Sequence, residues 1–113
     1  FGVLRQSAKR APDVIGVAKT VPKKVIGVLK KINKNKGTAP KGYRGGRRYI
    51  NDGRDGGQVL PKKDTGGNSI SYKEYDVNPY EKGVNRGAER IVQGSAGRSY
   101  YTSDHYQTFT EIK

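Results

Sequence analysis

Residues 70–77 read ISYKEYDV, and this stretch decides the fold. It is rich in residues that favour β-structure, so it predicts a strand. Because side chains alternate along a strand, Tyr72, Glu74 and Asp76 would share one face, while Tyr75 would point to the other. A carboxylate in mid-strand among aromatic residues is unexpected on a core face. Glu74 is therefore a candidate functional residue, the ordinary alternative being a solvent-facing sheet residue.

Further strands are predicted on both sides of this stretch. One short strand is expected at about residues 47–51, and others at 90–92, 99–102 and 105–112. Glycine-rich and polar turns separate them. Consecutive strands joined by short turns favour an antiparallel sheet of about four to five strands.

The first third of the chain predicts two short helices. One begins at Pro12-Asp13, and a second restarts after Thr20-Val21-Pro22. Proline suits the first position of a helix, and apolar residues at helical spacing follow each start. Helices followed by strands indicate an α+β fold, with two N-terminal helices packed on the antiparallel sheet.

The chain of 113 residues is long enough for one domain. Within it we distinguish a basic helical lead (1–35), a segment of Gly-rich loops (36–68) and the sheet (69–113). No apolar run approaches the roughly 20 residues that span a bilayer. Because the sequence starts at Phe1, we expect a processed product or a fragment of a longer chain.

The net charge of +13 lies entirely in the first half of the chain. Residues 1–48 hold 14 Lys and Arg and one acidic residue, whereas residues 49–113 hold nine of each sign. A positive field of this size attracts polyanions such as nucleic acid or an anionic membrane. A merely soluble basic surface is the alternative.

The chain has no cysteine and one histidine. A disulfide framework and any Cys-based metal or redox site are excluded, and a zinc site would need an unusual set of carboxylates. We therefore expect neither a metal nor another cofactor.

Cleavage of RNA through its own 2′-hydroxyl fits so sparse a set of groups. It requires a general base, a general acid and cations that stabilise charge on the phosphorus oxygens. His105, the one histidine, follows the turn at Ser103-Asp104, and Arg86 and Arg90 lie four residues apart. The ordinary alternative for the histidine is an exposed or core side chain, and that for the two arginines is a pair of surface charges.

These residues together resemble the barnase-like family of guanine-preferring microbial ribonucleases. YKEYDV at 72–77 is similar to the strand of the family's catalytic glutamate, and Arg86 and Arg90 keep its Arg-x-x-x-Arg spacing. TSDHYQTFT at 102–110 closely resembles the family's final strand. The resemblance covers about residues 48–113, whereas before them only the order of elements agrees.

The resemblance implies a role for each residue. Glu74 would be the general base and His105 the general acid of transesterification, and His105 would return as base when the 2′,3′-cyclic phosphate is hydrolysed. Arg86 and Arg90 would stabilise the transition state, since a guanidinium can hold two phosphate oxygens at once. Tyr106 would pack at the scissile phosphate or the base.

Guanine preference in the family depends on a short loop with a carboxylate before a Leu-Pro pair. Here the corresponding stretch, residues 51–61, is longer and offers aspartate instead of glutamate. The best match is Arg54 with Asp55, Asp52 is the rival carboxylate, and Asn51 is a further candidate. An ordinary Gly/Asp turn is the alternative.

The basic first half of the chain would contribute to the same reaction or to delivery of the protein. The family often has a lysine at the second helix that reaches the phosphate, and Lys23 or Lys24 would take that part. Residues 1–48 would raise the rate of encounter with RNA. Alternatively, residues 1–35 would bring a delivered toxin into transient contact with a membrane.

The start at Phe1 and the Gly/Lys-rich lead resemble C-terminal toxin domains of bacterial polymorphic toxins. This implies a monomeric protein that is secreted or delivered and acts in the cytoplasm of a target cell. It also implies an immunity protein as inhibitor, which should be acidic to match this charge.

Three rival functions stay open. A non-catalytic basic module that binds RNA or the ribosome fits the Gly- and Tyr-rich composition, but it gives no reason for the order of Glu74, Arg86, Arg90 and His105. Another is a ribonuclease of different specificity on the same scaffold, such as one that cleaves tRNA. A cationic membrane-active peptide fused to an inert domain is a further alternative.

Overall fold

The computed structural model describes residues 21–112, which form one helix and a five-stranded antiparallel sheet. Each strand pairs with the next one along the chain, in the order β1-β2-β3-β4-β5. The elements are α1 (Lys23–Lys34), β1 (Gly45–Tyr49), β2 (Tyr72–Asp76), β3 (Arg90–Gly94), β4 (Ser99–Thr102) and β5 (Thr110–Ile112). The predicted α+β class and the antiparallel sheet are confirmed.

The helical part of the prediction is not matched in full. The described residues hold one α-helix, α1, which begins after Pro22 as expected. The other predicted helix, which begins at Pro12-Asp13, lies outside the described residues.

The final strand is shorter than predicted. A strand was expected from His105 to Ile112, but β5 spans only Thr110–Ile112. The reason is local, because the Asp104 carboxylate accepts hydrogen bonds from the backbone N–H groups of Gln107 and Thr108 at 3.1 and 2.9 Å. Side-chain bonds of this kind replace the strand ladder with a turn.

One face of the sheet packs against α1. The helix buries Val25, Val28 and Ile32, and these side chains join Tyr75 and Ile91 in a single apolar cluster. Burial of each such side chain contributes roughly 1.5–3 kcal/mol. This face is the structural core of the described chain.

The opposite face carries a second cluster and leaves part of the sheet open. Leu60, Tyr72, Val92 and Tyr100 form this cluster at one end of the strands. Toward the other end of the strands, Asp76 in β2 pairs with Arg90 in β3, so this part of the face carries charged side chains instead. The candidate site lies on this face.

Candidate active site

A cleft of about 320 Å³ opens on the sheet face that points away from α1. It brings together seven of the residues predicted from sequence. The full lining is Arg48, Tyr49, Ile50, Gly53, Arg54, Asp55, Glu74, Arg86, Arg90, His105, Tyr106 and Gln107.

Two arginines in the cleft are fixed by one buried carboxylate. Asp76 is 2% exposed, and its oxygens lie 3.2 Å from Arg86 Nη1 and 3.2 Å from Arg90 Nε. The contact with Arg90 is an ion pair rather than a hydrogen bond, since Nε–H is not directed at an acceptor. Arg90 Nη1 instead donates to the carbonyls of Gly87 and Glu89, at 2.9 and 2.7 Å. The guanidinium groups are therefore held in place before any substrate binds.

Glu74 projects from the middle of β2 into the cleft, with one-fifth of its side chain exposed. The phenol of Tyr106 lies beside it and beside Arg90. Burial raises the pKa of Tyr106, the Glu74 carboxylate raises it further, and Arg90 opposes both. The hydroxyl therefore stays protonated at neutral pH and is able to donate a hydrogen bond.

His105 reaches the cleft from a tight turn rather than from a strand. His105 and Tyr106 both have positive φ, at 56° and 75°, a conformation that costs energy for residues with a side chain. The His105 amide donates to the carbonyl of Ala88 at 3.0 Å, which ties the turn to the residues before β3. The imidazole is exposed and lies next to the Tyr106 ring, with centroids 4.8 Å apart.

Asp104 holds this turn together. Its oxygens accept hydrogen bonds from Thr102 Oγ1 at 2.8 Å and from Thr108 Oγ1 at 2.6 Å. Partial burial opposes ionisation, but the bonds from Thr108 and Thr102 outweigh it and hold the pKa of Asp104 below its usual value. The charged carboxylate is thus the form that fixes the position of His105.

In the loop after β1, Asp55 lines the cleft with φ of 59°, whereas Asp52 lies outside the lining. The Asp52 carboxylate is engaged by Arg54, whose Nη2 and Nε lie 2.8 and 3.1 Å away. These hydrogen bonds lower the pKa of Asp52 to about 2. Asn51 also lies outside the lining, because its amide bonds the backbone N–H and carbonyl of Leu60 at 2.8 and 2.7 Å. Asn51 and Asp52 shape the loop and do not face the cleft.

The lysines predicted to reach the phosphate do not line the cleft. Lys24 Nζ donates to Glu89 Oε1 at 2.7 Å and to Asn78 Oδ1 at 3.2 Å, which ties α1 to the segment before β3. Lys23 is exposed at the start of the same helix. Neither lysine is among the residues that line the cleft, and their part in binding a phosphate stays a prediction.

Among the residues at or behind the cleft that sequence reasoning missed, three bear on the chemistry of the site. Tyr49 stacks on Tyr106 with ring centroids 4.8 Å apart and planes 24° apart. Asp76 is the buried partner of both arginines, and Arg47 Nη2 lies 3.6 Å from Glu74 Oε1. The alternation of β2 already put Asp76 on the face of Glu74, but nothing local marks Tyr49 or Arg47, whose positions depend on how β1 pairs with β2.

A model of the family described as ribonuclease matches residues 6–113. The chain belongs to the ribonuclease family. This confirms, at the level of the family, the predicted resemblance to barnase-like microbial ribonucleases and the assignment as an endoribonuclease.

Two relatives within this family bear on the site. A segment of 38 residues is 47% identical to the guanyl-specific ribonuclease St of Saccharopolyspora erythraea, and the match covers 34% of this chain and 37% of that protein. The crystal structure of ribonuclease Sa2 with guanosine-2′-cyclophosphate is similar at a TM-score of 0.51 and 31% identity, over 82% of this chain and 87% of that one.

The chemical groups of the cleft are two carboxylates, one imidazole, two phenols, four guanidinium groups and backbone amides. Within residues 21–112, no group of three or more His, Cys, Asp or Glu side chains is placed to hold a metal ion. The same residues include no helix long and apolar enough to cross a membrane. The cleft offers acid–base and electrostatic chemistry toward an anionic substrate.

Proposed function

We propose that this ribonuclease cleaves single-stranded RNA on the 3′ side of guanosine by transesterification, followed by hydrolysis. The observation that carries the proposal is the placement of Glu74, Arg86, Arg90 and His105 around one cleft. Glu74 removes the 2′-hydroxyl proton, and the 2′-oxygen forms a bond to phosphorus. The bond to the 5′-oxygen breaks, and His105 gives that oxygen its proton, which leaves a 2′,3′-cyclic phosphate.

Hydrolysis of the cyclic phosphate reverses the two roles. His105 takes a proton from water as the water oxygen bonds to phosphorus, and Glu74 returns a proton to the departing 2′-oxygen. Glu74 gives back the proton that it took in the first step, and His105 regains from water the proton that it gave to the 5′-oxygen. The pair is therefore restored after one turnover.

Arg86 and Arg90 stabilise the charge that develops on the phosphorus oxygens. Donors that are already aimed at the reacting group cost no reorganisation during the reaction, and this usually supplies a large part of catalysis. Asp76 holds both guanidinium groups in position through its two ion pairs. Tyr106, kept neutral beside Glu74, adds a hydroxyl donor.

The loop after β1 favours guanine as the base on the 5′ side. Asp55 lines the cleft and would accept hydrogen bonds from guanine N1–H and N2–H, whereas the carboxylate of Asp52 is engaged by Arg54. Tyr49 offers an aromatic ring in the same cleft, and bases stack on such rings. The guanyl-specific name of one relative and the guanosine-2′-cyclophosphate bound to another support this assignment.

The test is cleavage of four dinucleoside monophosphates that differ only in the base 5′ to the phosphate, with EDTA present. We expect the wild type to cleave the guanosine substrate fastest and to give a cyclic phosphate. The variants His105→Ala and Glu74→Ala should not cleave it. Asp55→Asn should reduce the preference for guanosine, whereas Asp52→Asn should not. Failure of the wild type to cleave any substrate would overturn the proposal and favour a binding module.

We further propose that the enzyme acts as a toxin, is delivered to the cytoplasm of a target cell, and is inhibited by an acidic immunity protein. The support is the net charge of +13, since a basic nuclease attracts an acidic inhibitor. A co-purifying acidic protein that blocks cleavage would bear this out. Mutation of lysines in residues 1–48 should lower cleavage most at low salt, and liposome binding lost on removal of residues 1–35 would instead indicate membrane contact.

A further inference from the structure

An irregularity in the sheet puts an unexpected arginine next to the proposed general base. Gly45 pairs with Tyr75, but the next pair is Arg47 with Glu74, so β1 uses two residues where β2 uses one. This is a β-bulge at Gly46. Bulges of this kind change the face to which the following side chains point.

The direction of Arg47 depends on that bulge. In an unbroken ladder Gly46 would oppose Glu74, and Arg47 would oppose Lys73 on the other face. The bulge turns Arg47 to the face of Glu74. Glycine is required at the first position, because a Cβ on Gly45 would lie 2.7 Å from Tyr75 Cα.

Arg47 differs from the other arginines near Glu74 in how it is held. Arg86 and Arg90 are tied to Asp76, whereas Arg47 has a side chain 62% exposed and contacts Glu74 at 3.6 Å. It lies at the rim, outside the residues that line the cleft. Its charge is therefore directed at Glu74 rather than at the place where the scissile phosphate would sit.

We propose that Arg47, aimed by the Gly45-Gly46 bulge, is a positioning residue for Glu74. An RNA phosphate that enters the cleft brings a second negative charge close to this carboxylate and repels it. The guanidinium of Arg47, which contacts Glu74 from outside the lining of the cleft, offsets that repulsion and keeps the carboxylate directed into the cleft. This inference rests on the proposed function, in which Glu74 is the base.

The experiment measures kcat and KM of Arg47→Ala on a guanosine dinucleoside monophosphate. Loss of an exposed ion pair should lower kcat about 3- to 5-fold and leave KM unchanged. Arg47→Lys should recover most of the loss. In a Glu74→Gln background, Arg47→Ala should have no further effect, because a residue that acts through Glu74 has nothing left to act on.

Arg98→Ala is the matched control. Arg98 Nε lies 3.6 Å from Glu111 Oε2, and its side chain is 63% exposed, so this variant removes the same charge from a similar pair away from the cleft. Its kcat should equal that of the wild type. An equal loss in both variants would show an effect of net charge alone and overturn the proposal.

Other outcomes would also overturn it. A higher KM with unchanged kcat would mean that Arg47 binds the substrate directly, and a loss that persists in Glu74→Gln would mean that it acts elsewhere. Urea unfolding of Arg47→Ala, Glu74→Gln and the double variant tests the contact without catalysis, and additive effects would refute it. If the wild type cleaved no substrate, the proposed function would fail. The unfolding measurements would still show whether Arg47 and Glu74 interact.

Discussion

The two faces of the sheet are built from alternate residues of the same strands, yet different forces hold their side chains. Tyr75 and Ile91 point toward α1 and are packed among apolar groups. Glu74 and Arg90 alternate with them and point into the cleft. Neighbouring residues of one strand are thus held by apolar packing on one face of the sheet and by charged contacts on the other. The comparison indicates that substitutions on the helix face should change stability, whereas those on the cleft face should change activity.

The largest expected effect on stability is at Asp76, a residue of the cleft face whose substitution should change both stability and activity. Asp76→Asn would leave Arg90, which is 3% exposed, without its counter-charge. Removal of one partner of a buried pair costs about 3–5 kcal/mol. Urea unfolding should show this loss, and cleavage by the molecules that remain folded should fall because Arg86 and Arg90 lose their anchor.

Glu111→Gln gives the reference for this measurement. It removes a carboxylate from a more exposed pair with Arg98 and should cost about 0–1 kcal/mol. A cost at Asp76 no larger than that at Glu111 would contradict the role of Asp76 as the buried anchor.

A smaller effect is expected on the helix face, at Tyr75. Its hydroxyl donates to the carbonyl of Gly37 at 2.6 Å, and Tyr75→Phe should reduce the free energy of unfolding by about 0.5–1.5 kcal/mol. Values of kcat and KM should not change, although Glu74 is the adjacent residue. Tyr80→Phe, at an exposed ring, should leave both properties unchanged. An altered kcat in Tyr75→Phe would show that the two faces are coupled.

The smallest effect is a pH dependence at Asp104 on the cleft side. Since the folded state lowers its pKa, the carboxylate stabilises the protein above the unfolded pKa of about 3.9, and this contribution is lost as the pH falls through the folded value. The difference in unfolding free energy between the wild type and Asp104→Asn should therefore shrink as the pH is lowered from about 6 to about 2. A difference that stays constant over this range would mean that Asp104 does not act through its charge.

The sequence predicted the sheet and the face of Glu74 because both depend on local alternation. Strands β2, β3 and β4 fall where the β-forming runs predicted them, with Arg90 at the first position of β3. The same alternation put Glu74 and Asp76 on one face.

What could not be predicted depends on contacts between distant residues. Lys24 is held by Glu89 rather than turned to the cleft, and Asn51 is held by Leu60. Asp55 lines the cleft and Asp52 does not, and both lie in a loop with no periodic pattern from which this difference could be predicted. Arg47 was missed because its face depends on a bulge in the pairing of β1 with β2, which no local pattern in the sequence predicts.

The most direct test of the account is a paired measurement on Glu74→Gln, in which the free energy of unfolding and the kcat/KM on a guanosine dinucleoside monophosphate are determined on the same preparation. Glu74 is a cleft-face residue within a well-packed strand, so we expect a change in stability within about 0.5 kcal/mol and a fall in kcat/KM of about 10²- to 10⁴-fold. Unchanged cleavage, or a loss of cleavage explained by unfolding alone, would contradict the assignment of Glu74 as the general base.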